Sequence, residues 1–393
     1  MTETTHSERI HIGFFGTRNA GKSSLINAIT GGEISVVSDF AGTTTDLVKK
    51  TMELFPLGPV LLIDTPGIDD EGELGKLRIS KTKEALNQIH IAVLVIDSSV
   101  GEREFDKDLI SIFKDKNIPF IKVFNKRDLA EIKEENSYSV STKTGDGIEE
   151  LIKAISNIKP RKEEKFILKD LVEKGDLVVL VTPIDASAPR GRLILPQQQT
   201  IREILDIGAI SVTCKETELK ETLDSLSKKP KLVITDSQVF GFVSKILDAD
   251  IPLTSFSVLF ARYKGDLQGL LLGISAIKNL QNGDKILISE GCTHHKQCGD
   301  IGSVKLPKWI KDFTGKNLDF SFTQGGTFPE SLENFALIIH CGGCMLNDKQ
   351  MIARINSAKE QNIPITNYGL TIAYINGILK RSIAPFPNIK DII

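Results

Sequence analysis

The sequence predicts an α/β protein of three domains, the first of them a doubly wound parallel sheet. The chain has 393 residues, and an average of about 150 residues per domain gives two or three domains. Short β-type runs alternate with helical stretches along the chain, which is typical of α/β folds. The charged stretch 159–165 interrupts this alternation and resembles a linker. We therefore expect domains over residues 1–160, 161–264 and 265–393.

Each expected domain contains several strands. In the first domain, parallel strands are expected at residues 11–15, 60–63, 91–96 and 120–124. In the second, strands are expected at 177–181, 210–212 and 231–234, with amphipathic helices at 198–207 and 216–226. The third is expected to open with a helix between residues 266 and 283, followed by strands at 285–288 and 336–339 and a helix at 348–361.

Charge and hydropathy exclude several classes of function. The chain has 49 Lys and Arg and 51 Asp and Glu, a net charge of −2, which gives no general attraction to nucleic acid or acidic membranes. The apolar runs are far shorter than the roughly 20 residues that span a bilayer, and the N-terminus has no apolar signal region. We expect a cytoplasmic protein that binds neither nucleic acid nor membrane. Its five cysteines are too few for a disulfide scaffold and favour a metal-binding or redox role.

A nucleotide-binding motif lies near the N-terminus. Residues 16–23, Gly-Thr-Arg-Asn-Ala-Gly-Lys-Ser, match G-x-x-x-x-G-K-S between a β-type run and a helical stretch, which is the context that this motif requires. Backbone N–H groups of such a loop, together with the helix N-terminus, bind phosphate oxygens. Lys22 is expected to reach the β- and γ-phosphates, and the Ser23 hydroxyl is expected to bind Mg²⁺.

Three further motifs follow in order after the expected strands. The first, Asp-Thr-Pro-Gly at 64–67, can hold Mg²⁺ through water and can meet the γ-phosphate with a glycine N–H. In the second, Asn-Lys-Arg-Asp at 125–128, the Asp128 carboxylate can accept hydrogen bonds from both N1–H and the amino group of guanine, a pair that adenine does not offer. The third, Ser-Thr-Lys at 141–143, supplies backbone donors for the guanine oxygen. Together with the first motif, they predict a GTP site.

Residues 11–158 resemble the translation-factor-related GTPases, the class that includes the Era-like and tRNA-modification GTPases. The resemblance implies that segment 42–46 is a switch whose Thr44 coordinates Mg²⁺ in the triphosphate state. It also implies that Asn19 binds K⁺, since a cation beside the phosphates offsets charge that develops during transfer; the alternative is that Asn19 only braces the loop. The residues expected to act in catalysis are Lys22, Asn19, Thr44 and Gly67. Those expected to bind GTP or GDP are Gly16, Asn19, Ala20, Gly21, Lys22, Ser23, Ser24, Asp64, Asn125, Lys126, Asp128, Ser141, Thr142 and Lys143.

The position after the Asp-Thr-Pro-Gly motif departs from the Ras pattern. Ile68 stands where Ras-like enzymes have the glutamine that orients the attacking water. Catalysis must then use another device, and we expect an intrinsic turnover on the order of 10⁻⁴ to 10⁻² per second. A rate of this size suits a timer better than a metabolic enzyme.

The third domain carries two cysteine motifs that follow β-type runs. A Cys-Thr-His-His string begins at Cys292, and a His-Cys-Gly-Gly-Cys string ends at Cys344. If the preceding runs are parallel strands of one sheet, the two motifs meet at the same edge. Two thiolates separated by two glycines can both reach one metal centre. On ligand type alone, zinc and an iron–sulfur cluster both remain open.

The whole chain resembles the GTPases that mature iron–iron hydrogenase, the HydF family. The resemblance rests on the GTPase motifs joined to the pattern C-x-H…H-C-x-x-C. It implies an α/β dimerisation domain in the middle and an α/β iron–sulfur cluster-binding domain at the C-terminus. It also implies a 4Fe–4S cluster with an open or loosely occupied iron site that can hold a transient diiron precursor. The implied cluster ligands are Cys292, Cys341 and Cys344, with His294 and His340 as a fourth ligand or as hydrogen-bond partners of the ligands.

The remaining residues of this kind fall outside the implied ligand set. Cys298 lies six positions after Cys292 and does not fit the pattern, and His295 is expected to pack or to donate a hydrogen bond. Cys214 ends a β-type run and is expected to be a buried core thiol.

The resemblance implies a scaffold or carrier that has GTPase activity of its own. It would receive the diiron precursor from radical-SAM maturases and deliver it to apo-hydrogenase, as a homodimer or a larger oligomer. GTP hydrolysis would gate partner binding or release through the switch loops. One alternative is an RNA- or ribosome-associated GTPase with a structural zinc domain, which the near-neutral charge disfavours. Another is an interaction module with a degenerate nucleotide domain, which the intact motifs disfavour.

Overall fold

The structure of the chain is a computed structural model that describes residues 5–31, 47–67, 73–160, 165–184, 193–292, 300–386 and 389. The chain divides into two compact units, Met1–Glu163 and Glu164–Ile393. None of the helices in these ranges combines the length and the apolar character that a bilayer crossing requires. The predicted α/β fold class is confirmed, while the expected boundaries at residues 160 and 264 stay predictions.

The first unit is built on a six-stranded sheet. Its strands are β1 (Ile10–Phe15), β2 (Val48–Leu54), β3 (Gly58–Asp64), β4 (Ile91–Asp97), β5 (Phe120–Asn125) and β6 (Ser137–Ser139), and its helices are α1 (Lys22–Ile29), α2 (Glu73–Leu86), α3 (Glu104–Asp115) and α4 (Ile148–Ser156), with a short 3₁₀ helix at His6–Glu8. The strand order is β2-β3-β1-β4-β5-β6, and all neighbours are parallel except β2 and β3. The sheet is therefore mixed rather than wholly parallel, because a short connection joins β2 to β3 as a hairpin.

Helices cover both faces of this sheet. Val93 of β4 lies in one apolar cluster with Leu25 of α1 and with α4, whereas its neighbour Leu94 lies in another with Phe113 of α3 and with α2. Strands that are buried on both faces are continuous apolar runs, which is why the sequence indicated them. The carboxyl ends of β1, β3, β4 and β5 meet at one edge of the sheet, where open α/β folds bind their ligands.

The second unit contains two four-stranded parallel sheets. The first has the order β10-β9-β7-β8 and consists of β7 (Leu177–Val181), β8 (Ile210–Cys214), β9 (Leu232–Thr235) and β10 (Leu253–Ser255). The second has the order β12-β11-β13-β14 and consists of β11 (Lys285–Ser289), β12 (Asp319–Thr323), β13 (Leu337–His340) and β14 (Ile365–Asn367). The helices are α5 (Leu195–Ile207), α6 (Leu219–Ser225), α7 (Phe240–Ile246), α8 (Phe256–Lys264), α9 (Leu267–Ile274), α10 (Leu306–Thr314), α11 (Asp348–Glu360), α12 (Tyr368–Ile375) and α13 (Leu379–Ile383).

One hydrophobic core joins the two sheets of the second unit. Leu180 of β7 and Ile288 of β11 belong to the same cluster of buried side chains, together with Phe260 of α8. Six of the nine residues of α8 are buried, so this helix lies inside the unit rather than on its surface. The end of α8 is therefore held firmly within the unit.

Candidate functional site

The loop between β1 and α1 has the conformation that its glycines permit. Gly16 has φ +142°, and a Cβ at this position would lie 2.1 Å from the Val95 carbonyl oxygen, so no larger residue fits. The Lys22 side chain is buried inside the loop, where its Nζ donates to the carbonyl oxygens of Gly16 at 2.9 Å and Thr17 at 2.8 Å. The ammonium group therefore lies where phosphate oxygens approach in this motif.

Asn125 connects this loop to the segment expected to recognise the base. Its Nδ2 donates to the Ala20 carbonyl at 3.0 Å, and its Oδ1 accepts from the backbone N–H of Thr142 at 3.3 Å. A Cβ at Gly21 would lie 2.2 Å from Asn125 Nδ2, so the glycine is needed for this approach. Asn125 is 1% exposed, and its role is to hold two loops together.

Ser23 and Asp64 form the group expected to hold Mg²⁺. The Ser23 hydroxyl donates to Asp64 Oδ2 at 2.5 Å. The other carboxylate oxygen, Oδ1, is buried and has no hydrogen-bond partner among the described residues. Burial raises the pKa of Asp64, against the opposing effects of the Ser23 hydrogen bond and the Lys22 charge. A buried, unsatisfied carboxylate oxygen beside a hydroxyl fits a Mg²⁺ ion and its water ligands.

The Asp-Thr-Pro-Gly segment packs directly against the phosphate loop. The Thr65 hydroxyl donates to the Phe14 carbonyl at 2.6 Å. A Cβ at Gly67 would lie 2.7 Å from the backbone of Arg18, so only glycine permits this approach. Thr44 and Ile68, which the sequence analysis placed in the switch and at the water-orienting position, lie outside the described residues.

The base-recognition segments are also in contact with each other. Ser141 Oγ donates to Asp128 Oδ1 at 2.6 Å, and this hydrogen bond lowers the pKa of the exposed Asp128 carboxyl. Lys126 has φ +66°, and its Nζ donates to Asp97 Oδ2 at 2.5 Å. Sequence reasoning missed Asp97, although it ends a buried strand just as Asp64 does.

A cavity of about 560 Å³ lies between these loops. Ten of the predicted residues line it, namely Asn19, Gly21, Lys22, Ser23, Ser24, Asp64, Gly67, Asn125, Lys126 and Thr142. Four lining residues were not predicted: Arg18, Val48, Thr65 and Pro66. The predicted residues Gly16, Ala20, Asp128, Ser141 and Lys143 lie in the same loops but do not line it. The cavity thus brings together the segments of the first unit that are expected to bind the phosphates, magnesium and the base.

In the second unit, the two cysteine motifs follow neighbouring strands. Ser289, the last residue of β11, is in register with His340, the last residue of β13. Cys341 Sγ accepts hydrogen bonds from the backbone N–H groups of Gly291 at 3.0 Å and Gly343 at 3.3 Å. The first donor immediately precedes Cys292, so the turns that carry Cys292 and Cys341 are adjacent.

The cysteine thiols lie in a partly buried environment. Burial raises the pKa of Cys341 to about 11, while the two N–H donors oppose this rise. Burial also raises the pKa of Cys344. Within the described part of the chain, no group of three His, Cys, Asp or Glu side chains is close enough to hold a metal ion. His294, His295 and Cys298 lie outside that part. The N–H groups directed at sulfur are nevertheless donors of the kind that surround iron–sulfur clusters.

His340 uses both of its ring nitrogens within the protein. Its Nδ1 lies 2.7 Å from the Cys341 carbonyl oxygen, and its Nε2 lies 2.7 Å from Arg354 Nη1. A guanidinium group can only donate, so Nε2 accepts and Nδ1–H donates. Burial and the Arg354 charge lower the pKa of His340 to about 3, consistent with a neutral ring. Arg354 also donates to Ser289 Oγ at 3.2 Å and to the Gly325 carbonyl at 2.6 Å.

Sequence reasoning missed two buried cations beside the cysteine turn. Arg354 lies in the middle of α11, where a basic residue is usually on the exposed face. Lys264 ends α8, is 4% exposed, and contacts the Cys-Gly-Gly-Cys turn 79 to 82 residues later in the chain. The sequence contains no local signal for either contact, because both depend on how distant elements pack.

Three family models match separate parts of the chain. A family model described as a hydrogen maturase F dimerization domain matches residues 167–265, and one described as a hydrogen maturase F tetramerization domain matches residues 268–385. A third model, described as a 50S ribosome-binding GTPase, matches residues 11–126. The chain therefore carries a GTPase domain followed by two domains that support oligomerisation.

Curated relatives match the GTPase part. The tRNA modification GTPase MnmE of Endomicrobium trichonymphae is 38% identical over 168 residues, which cover 40% of this chain and 37% of that protein. GTPase Der of Wolinella succinogenes is 40% identical over 123 residues, which cover 30% of this chain and 26% of that protein. The chain spans less than half the length of these relatives.

Two solved structures are similar to part of the chain. The G domain of T. maritima FeoB has 23% sequence identity and a TM-score of 0.30, covering 37% of this chain and 96% of that one. Era of Aquifex aeolicus has 20% identity and a TM-score of 0.34, covering 52% of this chain and 93% of that one.

The two hydrogen maturase F models together match more than half of the chain, which confirms the resemblance expected from the GTPase motifs and the cysteine pattern. The chain belongs to the hydrogen maturase F family.

Proposed function

We propose that the chain is a GTP hydrolase that acts as a scaffold and carrier in the maturation of iron–iron hydrogenase. One observation carries the proposal. The same chain has a cavity lined by the segments expected to bind GTP and Mg²⁺, and a cysteine turn within a hydrogen maturase F domain. In this role, the chain receives a diiron precursor from radical-SAM maturases and transfers it to apo-hydrogenase. It works as a homodimer or a larger oligomer in the cytoplasm.

The residues of the first unit have separate tasks in GTP hydrolysis. Water attacks the γ-phosphorus, the bond to the GDP oxygen breaks, and phosphate leaves. Lys22 binds the β- and γ-phosphate oxygens, and the Gly67 N–H binds the γ-phosphate. Ser23 and Asp64, with Thr44, hold Mg²⁺, which offsets the phosphate charge. Asp128 accepts the guanine N1–H and amino hydrogen bonds.

Asn19 has a proposed role in binding K⁺. It lines the same cavity as Lys22, and its side-chain amide offers the type of oxygen that a monovalent cation needs. A cation there would offset charge on the transferring phosphoryl group. This is the device that we propose in place of the glutamine that Ile68 replaces.

Three cysteines have the proposed role of holding a 4Fe–4S cluster. Cys292, Cys341 and Cys344 would supply thiolates, and an open iron would supply a binding position for the diiron precursor. The hydrogen bonds of His340 support its role as a partner of the ligands rather than as the fourth ligand, because both ring nitrogens are engaged. His294 remains proposed as a ligand or hydrogen-bond partner.

GTP hydrolysis is proposed to gate the binding or release of partner proteins. The γ-phosphate and Mg²⁺ order the switch segments of GTPases, and hydrolysis releases them. Residues 42–46 are the segment proposed for this role here.

Anaerobic reconstitution with iron and sulfide tests the proposal. We expect about four iron atoms per wild-type chain and the visible absorption and EPR spectrum of a 4Fe–4S cluster. Cys341→Ser and Cys344→Ser should each lose most of this iron, whereas the controls Cys214→Ala and Cys298→Ser should retain it. One zinc per chain with no cluster signal would contradict the carrier role and favour the RNA- or ribosome-associated alternative.

A further inference from the structure

Lys264 makes three hydrogen bonds to the Cys-Gly-Gly-Cys turn. Its Nζ donates to the carbonyl oxygens of Gly343 at 3.3 Å, Cys344 at 3.0 Å and Leu346 at 2.9 Å. An ammonium group has three N–H donors, and each has an acceptor here. Burying an ammonium group is costly unless its donors are satisfied. The carbonyl oxygens of the turn satisfy all three donors of Lys264, so they form a binding site for its ammonium group.

These hydrogen bonds fix the direction of two peptide groups beside Cys344. In a trans peptide, the C=O and the N–H point in opposite directions. The carbonyls of Gly343 and Cys344 face Lys264, so the N–H groups of the same two peptides, those of Cys344 and Met345, point away from it. Lys264 therefore fixes the orientation of the two peptide groups that flank Cys344.

We propose that Lys264 is a positioning residue for the cysteine turn, a role that rests on the proposed cluster-holding function. It fixes the two peptide groups that flank Cys344, and with them the position of this cysteine in the turn, and it places a fixed positive charge beside the turn. The positive charge stabilises the more negative, reduced state of a bound cluster and so raises its reduction potential. A cysteine whose backbone is fixed in this way is already oriented for the metal that its thiolate would hold.

The same contact joins two parts of the second unit. Lys264 belongs to the dimerization-domain match, and the turn belongs to the tetramerization-domain match. Because α8 is packed in the core, the lysine is an anchored group rather than a flexible surface charge. A shift of α8 would therefore be transmitted to the turn through these hydrogen bonds.

Variants of the full chain can separate the geometric and electrostatic parts of this role. Lys264→Met removes the donors and the charge, whereas Lys264→Arg keeps the charge but cannot place three donors on one atom. Lys359→Met is the matched control, because Lys359 is half exposed and pairs with Asp266 through a 2.5 Å contact. Correct folding of each variant is checked by circular dichroism.

The first measurement is hydrogen–deuterium exchange of the cluster-free protein. We expect the amides of residues 343–346 to exchange about tenfold faster in both Lys264 variants and at the wild-type rate in Lys359→Met. The second is redox titration of the reconstituted protein. Lys264→Met should lower the reduction equilibrium constant about tenfold, which is about 59 mV for one electron, while Lys264→Arg stays near the wild-type potential.

Each outcome decides the proposal. Unchanged exchange in a folded Lys264→Met protein overturns the positioning role, and an unchanged potential overturns the electrostatic role. If Lys264→Met does not fold, two other variants replace it. Faster amide exchange in Lys264→Arg supports the positioning role, and unchanged exchange overturns it. A lowered reduction potential in Lys264→Gln supports the electrostatic role, and an unchanged potential overturns it. If the wild-type chain takes up no cluster, the proposed function fails, and the exchange measurement still tests the lysine contact.

Discussion

At the scale of single residues, the backbone conformation of Asn19 separates the two roles considered for it. Asn19 has φ +62°, in the left-handed region that costs most residues about 1–2 kcal/mol but that asparagine tolerates. An alanine there would both remove the amide and strain the phosphate loop. A glycine would remove the amide without strain, because it has no Cβ.

We predict that Asn19→Gly abolishes the stimulation of GTP hydrolysis by K⁺. The wild type should turn over at least about tenfold faster in KCl than in NaCl of equal ionic strength, a barrier difference of about 1.4 kcal/mol. The variant should show equal rates in both salts, and its affinity for GDP should remain close to that of the wild type. Asn19→Ala is the comparison that adds backbone strain. If Asn19→Gly keeps the stimulation and only Asn19→Ala loses it, the residue braces the loop and does not bind the cation.

The role of His340 could not be predicted from the sequence. A histidine next to a cysteine motif is a typical metal ligand, and the pattern left ligation and hydrogen bonding equally open. The choice depends on Arg354, which follows 14 residues later and reaches the ring only because α11 packs beside β13. In contrast, the phosphate-loop residues were predictable, because their chemistry depends on local spacing.

At the scale of secondary-structure elements, the turn after β13 has two glycines with different requirements. Gly343 has φ +63°, and a Cβ there would lie 2.5 Å from Met351 Sδ. Gly342 has no such constraint, and a Cβ there would meet nothing within 4 Å. The motif reads as a symmetric pair, but only the second glycine is needed for the turn.

We predict that Gly343→Ala destabilises the second unit by about 1–2 kcal/mol from backbone conformation alone, with a further cost from the Met351 contact. Gly342→Ala should change the stability by less than about 0.5 kcal/mol. Urea unfolding followed by the fluorescence of Trp309, the only tryptophan in the chain, measures both. Equal losses in the two variants would mean that the turn does not have the described conformation.

Position in the sheet separates most of the strands that the sequence indicated from those that it missed. β1, β4, β7 and β13 are buried on both faces and were expected as apolar runs. β2, β6, β10, β12 and β14 lie at sheet edges and were missed, because each is short or carries polar residues. β2, for example, contains Lys49, Lys50 and Glu53. β8 is the edge strand that was expected. The central strands of all three sheets were thus predictable, whereas the number of strands in each sheet was not.

At the scale of the whole molecule, the second unit has a single core beneath two sheets. The alternation of strands and helices along the chain indicated separate second and third domains. The buried side chains nevertheless form one cluster that includes β7, α8 and β11. A shared core of this kind is expected to unfold cooperatively.

We predict that a cavity made in the first sheet of this unit destabilises the second sheet as well. Leu180→Ala, at a fully buried position in β7, should lower the free energy of unfolding by about 2–5 kcal/mol. Trp309 lies in α10, beyond the expected domain boundary, and its fluorescence transition should shift by that amount. Leu205→Ala, at a position 60% exposed, is the control and should leave the transition in place. An unshifted Trp309 transition in Leu180→Ala would show that the two sheets unfold separately.

The hydrogen bonds of Asn125 link the two parts of the expected nucleotide site, so that one ligand can occupy both. Because one buried side chain joins the phosphate loop to the Thr142 segment, the subsites for the phosphates and for the base have a fixed separation. A guanine and a triphosphate that are covalently linked present the second group to its subsite at a high effective concentration once the first is bound. Guanosine alone and inorganic triphosphate alone gain no such advantage, so we expect the chain to select the intact nucleotide over its fragments.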